Sequence, residues 1–478
     1  MSDMATIRRK NKNAIDMKIE DAQCATAHGG QLIIDALARE FGLWKKIDAI
    51  EDVLDVRRDK SRGFAPGLII FQIITSLCSG GVSLADAGRL GGDKALGRLL
   101  GVERWADEST IGEWLRGQTP AGLNAVWGVN REFCEWILKK VKPGYVRHGG
   151  KLEVFFDDTQ IEVGGRKFEG TGCNYNGDLA YSWQTLWVGP FLADGHWSAG
   201  NVDVSGRLGE CLENTASIWE NDAKCGRVLF YADSGSSAGK YLNLLDNRGW
   251  NWSVSYNKWT DKLDVLAADM KDEKDWSKPS ECVRRGESIV VQYGWIKHLP
   301  GKECERTQTF AVVRYRNVNG GELLWRYSYV VGGGSLQQKT HEPEAARLVF
   351  ERHNLKGAKE QGFYQLLGEM DLHHPPCLAS HANAFFYALS TIAFNLLTGV
   401  KLLYMEDDKQ AWSVKTLIRF WLTVPVKIST HAHRTKARVF VPKACLRWWR
   451  LFLVQHYPKR KPGWPCRDAT PDIDITSD

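Results

Sequence analysis

Two aspartates interrupt or follow apolar segments of the sequence. Asp157 interrupts an apolar segment that begins at Leu152, and Asp233 directly follows the apolar segment Val228–Ala232. A carboxylate in an apolar strand is costly to bury, and a metal ion or a basic partner usually compensates for it. For Asp233 a role as a turn cap stays open, because turn-forming residues follow it. Asp158 is the alternative to Asp157, because neighbouring residues of a strand face opposite sides of the sheet.

A third acidic residue, Glu360, lies in a long helical pattern. His353 precedes it by seven residues and Lys356 by four, so the three side chains share one face of a helix. A Lys–Glu pair at this spacing is more often a surface ion pair than part of a site. This face alone therefore predicts no chemistry, but it offers a third carboxylate to the two aspartates.

The basic charge of the chain is concentrated near its C-terminal end. The net charge is only +6, but residues 409–467 contain 14 Lys or Arg and no Asp or Glu, and residues 468–478 contain four Asp and no basic residue. Such a segment binds a polyanion unless acidic residues of the same protein neutralise it. Aromatic residues lie between the charges, which favours nucleic acid. Arg434, Lys436 and Arg438 are the candidate binding residues.

Hydrophobic periodicity predicts the elements that position these residues. Residues 30–149 have the spacing of helices, and the period changes to that of strands at Lys151. A strand, a turn, a helix and another strand then follow in the order typical of an α/β unit. The predicted elements after this change are strands at 152–163, 184–188, 228–232 and 252–256, a helix at 238–248, a β-rich block at 257–335, and helices at 343–370 and 384–397.

Residues 110–113 have the Thr-x-x-Glu form of a capping box, which predicts a short helix that runs from there to Arg116. A short helix with a basic end suits the reading helix of a helix-turn-helix unit. An ordinary helix of a bundle fits the same residues equally well.

Composition excludes several classes of protein. With 478 residues, 43% of them hydrophobic, the chain suits about three globular domains of roughly 150 residues. Its longest apolar run, residues 68–78, is shorter than the ~20 residues of a membrane span, and no secretory signal is expected. Eleven cysteines without a Cys-x-x-Cys pair indicate a reduced, cytoplasmic protein without a structural zinc site.

Two further motifs predict no site. Residues 235–240 resemble a phosphate-binding loop, but three residues instead of four separate the glycines, and Tyr241 replaces the Ser or Thr that would hold Mg²⁺. No nucleotide cofactor is therefore expected. The pair His373-His374 lacks a carboxylate or Cys at metal-ligand spacing, so it predicts no metal centre.

Three strings of the sequence carry a resemblance. They are Asp157-Asp158-Thr159, Tyr-Ala-Asp-Ser-Gly at 231–235, and His-Asn-Leu-Lys-Gly-Ala-Lys-Glu-Gln at 353–361. They are similar to the Asp-x-Thr, Arg-Ala-Asp-Ser-Gly and Tyr-Asn-x-Arg-Gly-x-x-Glu-Gln strings of the DDE transposases of bacterial insertion sequences. The group they resemble is the cut-and-paste group with an inserted β-domain, over about residues 60 to 440.

The third string departs from the signature of that family. His353 replaces its Tyr, Lys356 replaces its Arg, and Leu367 occupies the position of its final Lys. Lys keeps the charge of Arg but loses its two-point geometry toward a phosphate. These departures concern the positioning of phosphates rather than the binding of metal ions.

The resemblance implies an α/β fold with a ribonuclease H-like catalytic core that is interrupted by a β-rich insertion. An N-terminal helical DNA-binding domain and a basic helical C-terminal region complete the expected architecture. The expected boundaries are 1–149 for the helical DNA-binding region with a disordered basic leader, 150–256 and 338–404 for the two parts of the core, 257–337 for the insertion, and 405–478 for the basic region with its acidic tail.

The resemblance also implies a chemistry. Asp157, Asp233 and Glu360 would be the catalytic residues and would bind two Mg²⁺ ions, for which Mn²⁺ could substitute. His353 and Lys356 would contact DNA, together with the basic residues of the C-terminal region. The expected reaction is metal-dependent cleavage at the ends of a transposon, followed by attack of the freed 3′-hydroxyl on target DNA.

The expected partners are double-stranded DNA, as terminal inverted repeats and as target, and a second copy of the chain on that DNA. No membrane partner is expected, and the location would be the cytoplasm, at the nucleoid when DNA is bound. The alternatives are a catalytically inactive DNA-binding protein derived from a transposase and a ribonuclease H-like nuclease without strand transfer. A carbohydrate-active enzyme is disfavoured, because the basic segment does not suit a neutral sugar.

Overall fold

The computed structural model describes residues 22–202, 204–256, 262–271, 274–284, 286–301, 303–317, 324–337, 342–431, 434–457 and 472–476. The disordered leader predicted for the start of the chain lies outside these residues up to position 21. At Glu360 and Arg434 the backbone is described, whereas the side chains lie outside the described part.

The protein is a mixed α/β protein, as the sequence predicts. Helices dominate the described residues from 22 to 150. The described helices are α1 Gln31–Phe41, α2 Leu43–Ala49, α3 Glu51–Leu54, α4 Pro66–Cys78, α5 Leu84–Arg89, α6 Lys94–Leu100, α7 Glu108–Gly117, α8 Pro120–Lys140, α9 Pro143–Val146, α10 Leu208–Asn214, α11 Ala216–Lys224, α12 Gly239–Asn247, α13 Leu263–Ala268, α14 Pro343–His353, α15 Gly357–Tyr364, α16 Ser380–Tyr404, α17 Val414–Leu417 and α18 Leu446–His456.

Strands dominate the middle of the chain. The described strands are β1 Ala25–Thr26, β2 Arg147–His148, β3 Lys151–Glu162, β4 Gly172–Cys173, β5 Leu179–Val188, β6 Phe191–Ala199, β7 Val228–Ala232, β8 Asn251–Tyr256, β9 Ser280–Arg284, β10 Glu287–His298, β11 Gln308–Asn317, β12 Arg326–Gly333, β13 Val426–His431, β14 Arg434–Phe440 and β15 Asp472–Thr476.

The chain forms two compact units. The larger unit comprises Gly30–Gly91 and Arg104–Thr423, and the smaller unit comprises Met1–Gly29, Gly92–Glu103 and Val424–Asp478. The larger unit holds Asp157 and Asp233, and the smaller unit holds the basic strand β14.

The larger unit contains one continuous mixed sheet with the strand order β4-β5-β3-β7-β8-β12-β11-β10-β9, and β6 also pairs with β5. Strands β3, β7 and β8 run parallel to one another, and β5 runs antiparallel to β3. All five residues of β7 are buried, as expected for a central parallel strand covered on both faces. The apolar runs of the sequence thus fold into the centre of the sheet.

The β-rich insertion is part of this sheet. Strand β12 pairs antiparallel with β8, from Tyr329 opposite Tyr256 to Gly333 opposite Trp252. Strands β11, β10 and β9 then continue the sheet outward by antiparallel pairing. The insertion predicted from alternating strands and turns therefore extends the core sheet without a break.

Helix α16 lies in the core of the larger unit. Its length and composition alone would suit a membrane span, but 89% of the 18-residue apolar stretch within it is buried inside the protein. It packs against α4 and α8, and Nδ2 of Asn395 donates hydrogen bonds to Oδ1 of Asn130 and to the carbonyl of Leu192, both at 2.8 Å. This burial is typical of the core helix of a globular domain.

The smaller unit contains a four-stranded sheet in the order β1-β13-β14-β15. Within β13 and β14, Val426, Ile428, Ala437 and Val439 are buried, while the residues between them are exposed wherever their side chains are described. This period of two explains why the segment forms strands. The expected basic helical C-terminal region is corrected here: a strand pair precedes the basic helix α18.

Helix α7 begins earlier than predicted. Its N-cap is Asp107, whose Oδ1 accepts a hydrogen bond from the backbone N–H of Thr110 at 2.7 Å. The predicted capping box from Thr110 to Glu113 is wrong, because Asp caps a helix at least as well as Thr and occurs first.

Candidate active site

The two predicted aspartates lie at one edge of the sheet, at the ends of neighbouring parallel strands. Phe156 and Ala232 are the last paired residues of β3 and β7, and Asp157 and Asp233 follow them directly. Neighbours in a parallel register face the same side of the sheet. Asp233 keeps an extended backbone, with φ −83° and ψ 175°, so the same alternation continues through it. The structure thus brings together two carboxylates that are far apart in the chain.

Asp157 and Asp158 have different surroundings. Oδ1 of Asp157 accepts a hydrogen bond from the backbone N–H of Asp158 at 2.9 Å. Oδ2 of Asp158 accepts from Nε2 of Gln160 at 2.8 Å and from Oγ of Ser182 at 3.2 Å. Alternation along β3 sets these contacts on the face opposite to Asp157. Of the two residues, Asp157 is therefore the one that shares a face with Asp233.

Oδ1 of Asp233 is contacted by two side chains. Oγ of Ser255 donates to it at 3.3 Å, and Nζ of Lys356 forms an ion pair with it. Nζ of Lys356 also donates to Oγ of Ser255 at 3.3 Å. Ser255 directly follows the last registered pair of β7 and β8, Ala232 with Val254, so it lies beside Asp233 on the same face.

The second oxygen of Asp233 differs from the first. In the part of the chain that the structure describes, Oδ2 takes no hydrogen bond. The side chain is 47% exposed, although its strand is fully buried. One oxygen is therefore fixed by neighbours while the other remains accessible.

His353 lies behind this contact and is buried. The residue is 3% exposed. Nδ1 lies 2.9 Å from Oγ of Ser253, and Nε2 lies 2.8 Å from Oγ of Ser255. Burial lowers the pKa of His353 to about 4, so the imidazole is neutral at pH 7. Both ring nitrogens are thus engaged by serines of β8, and the contact with DNA that the resemblance implies for His353 stays a prediction.

Two open cavities meet beside Asp233. One, of about 830 Å³, is lined by Asp157, Asp158 and Asp233. The other, of about 860 Å³, is lined by Ser255 and Lys356. Strands of the insertion add an aromatic wall to the second cavity, formed by Tyr293, Tyr315, Tyr327 and Tyr329. The carboxylates thus face a space large enough for an extended ligand.

Glu360 is carried by α15, directly after the helical turn that ends at Lys356. Four residues of helix advance by about 6 Å, so the backbone of Glu360 lies about one turn beyond the residue that contacts Asp233. Its side chain lies outside the described residues, and its predicted role as the third carboxylate stays a prediction.

The donors at this edge suit a hard divalent cation. Asp157 and Asp233 offer carboxylate oxygens on one face, and the open cavity leaves room for water and for the oxygens of a ligand. Mg²⁺ and Mn²⁺ prefer such oxygen ligands and keep several waters. The residues present therefore fit the cation that the sequence predicts.

The basic residues predicted from the sequence lie on β14. Lys436 and Arg438 are exposed, while Ala437 between them is buried. Arg438 is opposite Lys427 of β13, which is also exposed, so the strand pair presents a basic face. The side chain of Arg434 lies outside the described residues.

Strand β15 adds acidic residues to the same sheet. It pairs parallel with β14, with Asp472 in register with Lys436 and Asp474 in register with Arg438. The acidic end of the sequence is thus an edge strand next to the basic strand.

Sequence reasoning missed the two serines of β8. Ser253 and Ser255 alternate with the buried residues Trp252, Val254 and Tyr256. Two polar residues at a spacing of two in a predicted core strand are the signal that could have identified them.

A cluster outside the sheet edge was also missed. Asp371 lies near His373 and His374, with ligand atoms within 4.8 Å of one another. A carboxylate thus accompanies the histidine pair after all, two residues before it in sequence. Nδ1 of His373 already bonds the carbonyl of Leu367 at 2.6 Å, and both histidines are exposed. None of these three residues lines the cavity at Asp157 and Asp233.

Comparison with known proteins adds to this geometry. The sequence model of the family described as "Transposase DDE domain group 1" matches residues 10–445, which is nearly the whole chain. No curated protein is similar enough to the chain to count as a match.

Proposed function

The chain belongs to the DDE transposase family, and we propose that it excises a transposable element from DNA and joins it to a target by a cut-and-paste route. The observation that carries the proposal is the register that sets Asp157 beside Asp233 at the ends of two parallel strands. Members of this family use divalent metal ions, and acidic residues on adjacent strand ends are suitable ligands for them.

The sheet supports a ribonuclease H-like core within the predicted boundaries 150–256 and 338–404. Strands β6, β5 and β3 form an antiparallel series, and β7 and β8 then continue parallel to β3. The insertion 257–337 separates this sheet from the helices that carry Lys356 and Glu360. We assign the helices before residue 150 and the basic region after residue 404 to DNA binding.

We assign Asp157, Asp233 and Glu360 as the ligands of two Mg²⁺ ions. When bound, such ions activate an attacking oxygen and stabilise the leaving oxygen of a phosphodiester. In the first step, water attacks the phosphorus at the end of the element and the P–O3′ bond breaks, which frees a 3′-hydroxyl. In the second step, that hydroxyl attacks a phosphodiester of the target DNA, and the 3′-oxygen of the target strand leaves. Asp157 and Asp233 fix where the reacting phosphate lies, and Lys356 adds positive charge beside it.

The DNA itself is held by exposed positive charge. Lys436, Arg438 and Arg434 bind phosphates along one strand of the smaller unit, and Lys356 binds one near the carboxylates. Phosphate contacts of this kind supply affinity without reading sequence. Two copies of the chain act together on the paired ends, in the cytoplasm, as is typical of the family.

The test is a cleavage and joining assay on duplex DNA that carries the inverted repeats flanking the coding region. Wild-type protein with Mg²⁺ is expected to cut at the repeat ends and to join them to target, and chelation of the metal stops both. Asp157→Ala, Asp233→Ala and Glu360→Ala are each expected to abolish cleavage without weakening DNA binding.

Glu162→Ala is the matched control, because Glu162 is an acidic residue of the same strand β3 outside the cavity lining. It is expected to keep activity. Mg²⁺-dependent nicking by any of the three site variants refutes the assignment of that residue. Wild-type protein that binds the ends without cutting is an inactive DNA-binding protein, and cutting without joining identifies a nuclease.

A further inference from the structure

The hydroxyl of Ser255 is fully used by its neighbours. It has one proton and two lone pairs, and three partners surround Oγ. They are Oδ1 of Asp233 at 3.3 Å, Nζ of Lys356 at 3.3 Å and Nε2 of His353 at 2.8 Å. A carboxylate only accepts and an ammonium group only donates. The proton of Ser255 therefore points to Asp233, and its lone pairs face Lys356 and His353.

This arrangement fixes the tautomer of His353. Nε2 must carry a proton, because Ser255 has no second proton to donate. In the neutral ring Nδ1 then carries none, so it accepts a hydrogen bond from Oγ of Ser253 at 2.9 Å. The result is a directed series of bonds in which Ser253 donates to His353, His353 to Ser255, and Ser255 to Asp233.

We propose that His353 is a positioning residue that acts on Asp233 through Ser255. Its Nε2–H holds the Ser255 hydroxyl in the one rotamer that donates to Oδ1 of Asp233. The carboxyl group is thereby kept in place while its other oxygen stays accessible to a cation. A residue that orients a metal ligand in this way works without touching DNA or metal.

The inference rests on the proposed function, since it assigns a role to Asp233 in metal-dependent cleavage. The burial of His353 explains why a side chain that donates and accepts hydrogen bonds without a charge occupies position 353. His353 lies at the inner wall of the second cavity, with only 3% of the residue exposed. An imidazole can donate on one side and accept on the other, and it does so here between two serines of the same strand face.

The first test is a double-mutant cycle on the cleavage rate of DNA that is already bound. Ser255→Ala is expected to lower this rate about 10- to 100-fold, the usual loss for groups that orient a metal ligand. His353→Ala is expected to cause a loss of similar size in the wild-type background. In the Ser255→Ala background it is expected to cause almost none, because its route to Asp233 is already removed.

Equal losses from His353→Ala in both backgrounds overturn the proposal, because a merely structural residue would act independently of Ser255. The matched control is Ser390→Ala, which removes a buried hydroxyl of helix α16 that bonds the carbonyl of Phe386 and has no part in this series. It is expected to cost much less rate than Ser255→Ala, and an equal cost counts against the proposal. The dissociation constant for DNA is expected to stay unchanged in all these variants.

His353→Gln keeps the test valid if the alanine variant does not fold. Its amide can donate toward Ser255 and accept from Ser253, so it is expected to recover part of the rate lost in His353→Ala. A glutamine variant that folds like the wild type, binds DNA, and shows no more activity than Ser255→Ala overturns the role in positioning.

The second test does not depend on cleavage. Nitrogen NMR of the wild-type protein labelled at histidine, with His353→Gln used to assign the signal, distinguishes protonated from unprotonated ring nitrogens. We expect Nε2 of His353 to be protonated and Nδ1 to be unprotonated at pH 7. The opposite tautomer or a charged ring overturns the proposal, whether or not the wild type cuts DNA, whereas a correct tautomer in a protein that does not cut DNA refutes only the proposed function.

Discussion

The carboxylate edge of the large sheet and the basic face of β13 and β14 hold their charges in opposite ways. At the edge, Oδ1 of Asp233 is fixed by Ser255 and Lys356, with His353 buried behind them. On the basic face, Lys436 and Arg438 extend exposed side chains at alternate positions. The edge is built from contacts between distant segments, whereas the basic face follows from the pleat of one strand pair.

This difference matches the proposed roles of the two regions. Reactions at a phosphodiester depend on reacting groups held in a narrow range of positions, and small displacements are costly. Retention of a polyanion depends on the number of phosphates neutralised and tolerates mobile side chains. Substitutions at the edge should therefore alter rate, and substitutions on the basic face should alter affinity.

The largest expected effect tests this claim at two adjacent carboxylates. Asp157→Asn is expected to lower the cleavage rate by about 1,000-fold or more, because loss of a metal ligand removes several kcal/mol of transition-state stabilisation. Asp158→Asn is expected to cost far less, because Asp158 bonds Gln160 and Ser182 on the opposite face. Single-turnover cleavage rates of the two variants measure the difference. A larger loss of rate in Asp158→Asn than in Asp157→Asn would show that the alternation along β3 does not determine which of the two carboxylates is catalytic.

The next effect concerns affinity. Replacement of Lys436 and Arg438 together by Gln is expected to weaken DNA binding roughly ten-fold and to reduce the slope of log affinity against log salt by about 2, since each lost phosphate contact reduces it by about 1. Binding titrations over a range of salt concentrations measure both quantities. Cleavage at saturating protein should not change. Lys224→Gln, at an exposed lysine paired with Glu220 outside the regions assigned to DNA binding, is the control. A lower rate with unchanged affinity would contradict the comparison.

The smallest effect concerns the pH dependence of stability at the edge. The folded protein binds a proton at His353 only near pH 4, whereas the unfolded chain binds it near the ordinary pKa of 6.5. Between these values the unfolded state holds more protons, so the free energy of unfolding falls as the pH is lowered, by about 1 kcal/mol per pH unit. Urea unfolding of the wild type and of His353→Gln across this range isolates the contribution. A difference between them that does not change with pH would contradict the burial of a neutral ring.

The strands of the core were predictable because the sequence of each strand by itself indicates its secondary structure. The apolar run of β7 and the alternation in β8 both predict strands, and the structure has them at Val228–Ala232 and Asn251–Tyr256. The family and its Asp233 string were recognisable for the same reason. Local sequence thus placed the acidic residues next to the correct strands.

The contacts around Asp233 could not be predicted in the same way. Ser255 is 22 residues away from it in sequence and Lys356 is 123 residues away, so only the paired strands and the helix packed on them bring these groups together. The role of Glu360 remains a prediction, because its side chain lies outside the described residues. Tertiary packing determines which side chains lie close together in space, and the spacing of residues along the sequence does not reveal this packing.

Two errors have simpler causes. At α7, Asp107 and Thr110 both offer a capping oxygen, and the sequence pattern alone does not determine which of the two residues caps the helix. In the C-terminal region, the alternation of Val426 and Ile428 indicates a strand, whereas the charges and the aromatic residues between them carry no information on secondary structure.

Strand β8 connects the strands of the core with the strands of the insertion. It pairs with β7 on one side and with β12 on the other, so the serines that support Asp233 are carried by the strand that joins core and insertion. Excision of the insertion to obtain a minimal enzyme would strip β8 of its partner and expose a row of unsatisfied backbone amides and carbonyls, which is a template for aggregation. A shorter relative would therefore need another strand, or a segment that covers β8, at the position of β12. Replacement of the insertion by another segment is expected to be tolerated better than its deletion.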